Sequence, residues 1–254
     1  MPDARTTLAR ESESTLPWPR WRVFLIRLWA GLLTVYALVM AQGIVVIGTA
    51  SPGDRFAYAT STIWKVLSLG GVALLLWTGG RSVISYWAIA VGQLVWAVAG
   101  LLVPQPEGNG PLLNLVNLVI FYGPLIALRP QRRELLHPHF QPSPTNLGIA
   151  IVGSIPLVLF AVHLVGQLHG ELGFDMVGLY LVLSAMGIFA ALQPQGQRWI
   201  ARVVGAGAAL TGIAAIVYPH GLASPGLLGG ALLQSGGTVF AATATFLRHP
   251  TTGP

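Results

Sequence analysis

Residues 147–168 read LGIAIVGSIPLVLFAVHLVGQL. No side chain in this run carries a fixed charge, and its polar side chains are those of Ser154, His163 and Gln167. A run of about 20 apolar residues covers the roughly 30 Å hydrocarbon core of a bilayer when it is helical. In lipid the backbone finds no water to bond, so the segment has to satisfy its own N–H and C=O groups, and a helix does that. Pro156 falls inside the run, and membrane helices tolerate such a kink where neighbours satisfy the freed carbonyl.

Comparable runs lie on both sides of it. The spans expected are 23–49, 58–79, 83–103, 111–128, 147–168, 175–193, 199–218 and 226–247. The connections SPGDR, GGR, PQPEGNGP, HGELG, QPQGQ and YPHGLASPG carry turn residues, as does the longer RPQRRELLHPHFQPSPTN. The composition agrees: 54% of residues are hydrophobic and 9% charged, where a soluble domain carries about 25% charged. The fold class expected is an all-α polytopic membrane bundle of about eight transmembrane helices. The polar residues 1–20 read as a disordered cytoplasmic tail, and the apolar stretch from Val23 to about Ala50 is too long for a signal-peptide core. Residues 21–130 then form a first four-helix half, 131–145 a cytoplasmic linker and 146–250 a second half.

The basic residues give the orientation. Arg5, Arg10, Arg20, Arg22, Arg81, Arg129, Arg132, Arg133, Arg198, Arg202 and Arg248 share one side of an eight-span chain. Arg55 stands on the other, with the acids Asp54, Glu107, Glu171 and Asp175, while Arg27 and Lys65 fall within spans. The positive-inside rule places both termini in the cytoplasm of a bacterial-type cytoplasmic membrane. The net charge of +6 then reports membrane orientation and not nucleic-acid binding. The expected partners are membrane lipids and a membrane protein or a second copy of the chain.

The halves resemble each other. Span three follows Arg81, carries Trp87 early and ends at Pro104; span seven follows Arg198, begins with Trp199 and ends at Pro219. Span four opens with Pro111-Leu112-Leu113 and span eight follows Pro225 with Gly226-Leu227-Leu228. A four-plus-four duplication with both halves facing the same way, a parallel repeat, fits this pattern. Spans seven and eight are also rich in small residues, among them Gly205, Gly212, Gly230 and Gly237, which predicts close helix packing.

Chemistry is sparse. There is no cysteine, which excludes disulfides, thiolate metal sites and cysteine nucleophiles. GxSxG and HExxH are absent. His163, Lys65, Gln42, Asn114, Asn117 and Gln234 lie towards the outer side of spans one, two, four, five and eight. Facing lipid, each would lose its hydrogen bonds to water, so the economical arrangement gathers them in an outward-facing polar pocket. Snorkelling of Lys65 and hydrogen bonding of the others between helices explain the same residues. The candidate metal ligands are His163, His169, Glu171 and His220, although their spacing matches no established motif. His137 and His139 read as solvated loop residues. No cofactor is expected. The function expected is non-enzymatic binding, or transport-like movement, of a small molecule or lipid. The alternatives are an accessory subunit of a membrane complex and an outward-facing metal-dependent or redox enzyme.

Overall fold

A computed structural model describes residues 18–40, 47–103, 111–129, 135, 140, 142, 144–168, 170–192 and 199–246. Some side chains within these ranges, including those of Lys65, Asn114, Asn117 and Glu171, are not described. Eight long helices run through the described residues: α1 (Arg20–Met40), α2 (Arg55–Thr78), α3 (Val83–Leu102), α4 (Pro111–Leu128), α5 (Pro144–Val165), α6 (Gly170–Ala191), α7 (Trp199–Val217) and α8 (Gly226–Phe246). Every regular element among the described residues is a helix. Four segments, Val83–Leu102, Pro144–Val165, Gly173–Ala191 and Trp199–Val217, are long and apolar enough to cross a membrane.

Local chemistry sets the helix ends. Pro111 and Pro144 open α4 and α5, where the missing N–H costs nothing because the first turn leaves its donors unpaired. Gly79 closes α2 in the left-handed region at φ 59°. Ser82 caps α3, its side chain accepting from the Ser85 N–H at 3.3 Å, and the Ser85 hydroxyl donates back to the Ser82 carbonyl at 2.7 Å. Pro124 sits inside α4, and Pro156 sits inside α5 as expected.

Two apolar clusters show that successive helices alternate in direction. One joins Phe56 of α2, Ala99 of α3, Leu164 of α5, Met176 of α6 and Ala215 of α7. The other joins Ile84 of α3, Ala150 of α5, Ala190 of α6, Ile200 of α7 and Phe240 of α8. The second lies at the end that carries Arg81, Arg129 and Arg202, called here the arginine-rich end. Arg55, Asp54 and Asp175 belong to the opposite end.

Within the first half α1 packs on α2, α2 on α3, α3 on α4 and α4 on α1. Within the second half α5 packs on α6, α6 on α7, α7 on α8 and α8 on α5. The halves meet through α2–α6, α2–α7 and α3–α6. Of the Gly173–Ala191 span 72% is buried, which makes α6 the central helix. A helix apolar on every side has this place in a bundle. The outer helices show the reverse: Phe24 on α1, Val152, Leu159 and Val162 on α5 and Leu228 on α8 are exposed. An apolar surface this extensive suits contact with lipid.

The expected close packing of α7 and α8 is present. A Cβ on Gly205 would lie 2.6 Å from the Gly237 carbonyl oxygen, and one on Gly230 would lie 2.8 Å from that of Gly212. Gly205 therefore faces Gly237 and Gly212 faces Gly230, in antiparallel register. Glycine lets the two backbones touch, and van der Waals contact replaces the hydrophobic effect that lipid does not supply.

Candidate functional site

Gly92 and Gln93 adjoin on α3. A Cβ added to Gly92 would meet nothing within 4 Å, because the helix borders a cavity there. Gly71 of α2 lines the same space, with the Ile89 side chain 3.5 Å from where its Cβ would be. The cavity has a volume of about 40 Å³ and lies between α2, α3, α4, α6 and α7. A water needs about 10–15 Å³ by this measure, so the space admits about three waters or a small organic group.

Among the described residues its wall is apolar apart from three side chains. Gln93 and Tyr122 supply an amide and a phenol, with Gln93 Nε2 donating to Tyr122 Oη at 3.4 Å. That bond is long, near the limit for an N–H donor. The third polar group is the Trp199 indole at the start of α7, 45% exposed, so the cavity leads towards the arginine-rich end. No acid, lysine, arginine or histidine is among the described residues of the wall. The arrangement suits a small neutral molecule that is mostly apolar and carries one hydrogen-bonding group.

Two of the residues expected to form an outward-facing pocket, His163 and Gln234, lie elsewhere. His163 is exposed on the last turn of α5, next to exposed Val162. Its Nε2 lies 3.0 Å from Gln167 Nε2, a hydrogen bond donated by the amide when the ring proton is on Nδ1. Gln234 is exposed on α8, and its backbone passes against Gly212. Neither lines the cavity. Gln42 and the side chains of Lys65, Asn114 and Asn117 lie outside the described residues. Of the candidate metal ligands, His163 and His220 are exposed, while His169 and the Glu171 side chain are not described. No group of three potential metal ligands occurs among the described residues.

The acids at that opposite end are engaged with hydroxyls. Ser61 Oγ donates to Asp175 Oδ2 at 3.0 Å, and Ser51 Oγ donates to Asp54 Oδ2 at 2.8 Å. The neighbouring Thr60 hydroxyl approaches Met176 Sδ at 3.2 Å. The Ser61–Asp175 and Thr60–Met176 contacts tie α2 to α6.

Gln93 and Tyr122 are not among the site residues expected from the sequence. One signal was available: Gly92-Gln93 puts a small residue and an amide together in a strongly apolar helix. The residue it would meet stands on another helix at a depth that composition does not reveal. The chain matches no protein-family model, no curated protein and no solved structure.

Proposed function

We propose that this chain is an eight-span membrane protein that binds a small neutral molecule between two similar four-helix halves, as a transport-like module. The observation that carries the reading is the cavity, whose wall draws on both halves at matching positions. Leu67 matches Val182, Gly71 matches Met186, Ala88 matches Val203 and Ile89 matches Val204, with the same chain separation in every pair. The packing scheme supports it. Exchanging each helix with the one four places along turns α3–α6 into α7–α2, α1–α4 into α5–α8, and every other packed pair into a pair that is also packed. The contacts between α2 and α6 follow the same exchange, which converts Thr60–Met176 into Asp175–Ser61. A parallel repeat with a site near its pseudo-two-fold axis is a recurrent transporter architecture.

The reading places both termini in the cytoplasm of a bacterial-type membrane. It rests on the clustered arginines and puts the cavity on the cytoplasmic side of the midplane. The absence of cysteine makes the tests direct. In Gln93→Cys, a small thiol reagent should react about tenfold faster than in Ala215→Cys, whose site is fully buried and reached only by local opening. Equal rates would remove the cavity as a binding space. Phe140→Cys, exposed in the linker, should resist an impermeant reagent applied from outside intact cells. Labelling there would reverse the orientation.

A second reading, an accessory subunit, has one observation in its favour. The free side of α8 presents Ala231, Gln234, Ser235, Gly236 and Thr238, all exposed. Small and polar residues of this kind suit contact with another membrane helix better than contact with lipid. Gln234→Leu should then reduce the particle mass in mild detergent from that of a complex to that of the single chain.

A further inference from the structure

We propose that the α2–α3 turn holds the phosphate of an anionic phospholipid headgroup between Arg27 and Arg81. The guanidinium groups of Arg129 and Arg27 reach residues 79–81, and Arg81 itself belongs to that turn. Arg129 is 1% exposed and donates to the Gly80 carbonyl at 2.7 Å and the Arg81 carbonyl at 3.2 Å. Its guanidinium also stands 5.2 Å from the Tyr86 ring centroid and 5.4 Å from that of Trp18. Arg129 is thus occupied in fixing the turn from within. Arg27 reaches the turn from α1, with Nε 3.6 Å from where a Cβ of Gly79 would be. Arg81 is part of the turn, two residues from Gly79, so their Cα atoms lie within about 7 Å of each other. The side chains of Arg27 and Arg81 are both exposed.

The charge is not balanced from within the described residues. Asp54 and Asp175, the carboxylates described, lie at the opposite end of the bundle and accept from Ser51 and Ser61. The C-terminus of α2 contributes only about half a negative charge. Each guanidinium has five donors arranged for planar oxyanions, and a phosphate can take two from each. Arg27 stands seven residues into α1, about 10 Å along the helix from Arg20. At such a depth a bare guanidinium is costly in hydrocarbon, and a lipid phosphate drawn to it lowers that cost.

The surroundings favour a lipid over a free anion. Phe24 and Leu28 flank Arg27 in the chain and are 63% and 49% exposed, and Trp77 in the last turn of α2 is 87% exposed. Apolar side chains receive acyl chains, and an exposed tryptophan suits the headgroup level. Basic pockets between helices on the cytoplasmic side are where anionic headgroups bind.

The test compares melting temperatures of the full chain in neutral detergent supplemented with phosphatidylcholine or with phosphatidylglycerol of the same acyl chains. Phosphatidylglycerol should raise the melting temperature by about 5 °C over phosphatidylcholine, as linkage requires for a ligand of the folded state. Arg27→Gln and Arg81→Gln should each lose most of that difference. Arg202→Gln, a charge removed from an exposed site on α7 at the same end, should keep it. Each variant is compared with itself in the two lipids, so reduced basal stability does not enter the result. Arg81→Gln alters only an exposed turn side chain, which keeps the test available if Arg27→Gln folds poorly. The site is overturned if Arg81→Gln keeps the full difference or if Arg202→Gln loses as much. Soluble glycerol phosphate giving the same shift would overturn the lipid assignment.

Discussion

The α3–α4 and α7–α8 hairpins are held in opposite ways. In α7–α8 a Cβ on Gly237 would lie 2.9 Å from the Ala208 Cβ and 2.5 Å from the Gly205 carbonyl oxygen. At the separation shared by the cavity pairs, Gly237 answers to Tyr122 and Ala208 to Gln93. Where the second half closes backbone on backbone, the first keeps two large polar side chains and the cavity beside them. Its other ties are polar too: Tyr86 Oη donates to the Leu125 carbonyl at 3.3 Å, and Arg129 grips the turn before α3. The α3–α4 hairpin leaves a cavity beside its polar pair, whereas the α7–α8 hairpin is closed along its length by glycine.

The largest effect should come from breaking the sealed side. In Gly212→Leu the new side chain meets the Gln234 backbone and the Gly230 carbonyl, and backbone cannot step aside. A loss of about 3 kcal/mol or more is expected in thermal unfolding in detergent. Gly236→Leu on α8 faces open space and should change stability by less than about 1 kcal/mol. Equal melting curves for the two variants would mean that close approach does not hold this hairpin.

Arg129→Leu is next. It removes two donors from the Gly80 and Arg81 carbonyls inside the first half. The expected cost is about 2–3 kcal/mol, read from the same melts. A neutral result would mean that the polar ties on this side are dispensable.

Tyr122→Phe sharpens the comparison at the cavity. It deletes a bond already stretched to 3.4 Å, so stability should fall by no more than about 1 kcal/mol. If it falls further, the phenol has a second role in the wall. The smallest effect belongs to Gly92→Ala, whose Cβ enters empty space. The gain in helix propensity should leave the protein unchanged or stabilised by up to about 1 kcal/mol. A clear loss would mean that the space is filled.

These contrasts explain what could be read from sequence. Helix positions followed from apolar length and turn residues, and the glycine seam from composition, because each is a property of one segment. Which way a side chain points is different. In α6 apolar residues stand on every side, and polar ones such as Asp175, Tyr180 and Ser184 form no exposed polar face to mark its orientation, unlike in a soluble helix. Depth places His163 near one membrane surface, yet nothing local to α5 says that Leu164 turns inward and His163 outward. Gln93 and Tyr122 meet because α3 and α4 pack with a particular rotation, and that rotation belongs to the pair of helices.

The hydroxyl contacts between α2 and α6 bear on how the bundle can deform. Ser61–Asp175 and Thr60–Met176 join the helices at the end remote from Trp199. Gly71, at cavity level, stands ten residues further along α2, about 15 Å from the tie. A rotation of about 5° around it displaces that level by about 1.3 Å, nearly the radius of a water molecule, and displaces the tie hardly at all. Leverage would thus convert a rocking too small to strain the joint into a change in the width of the cavity.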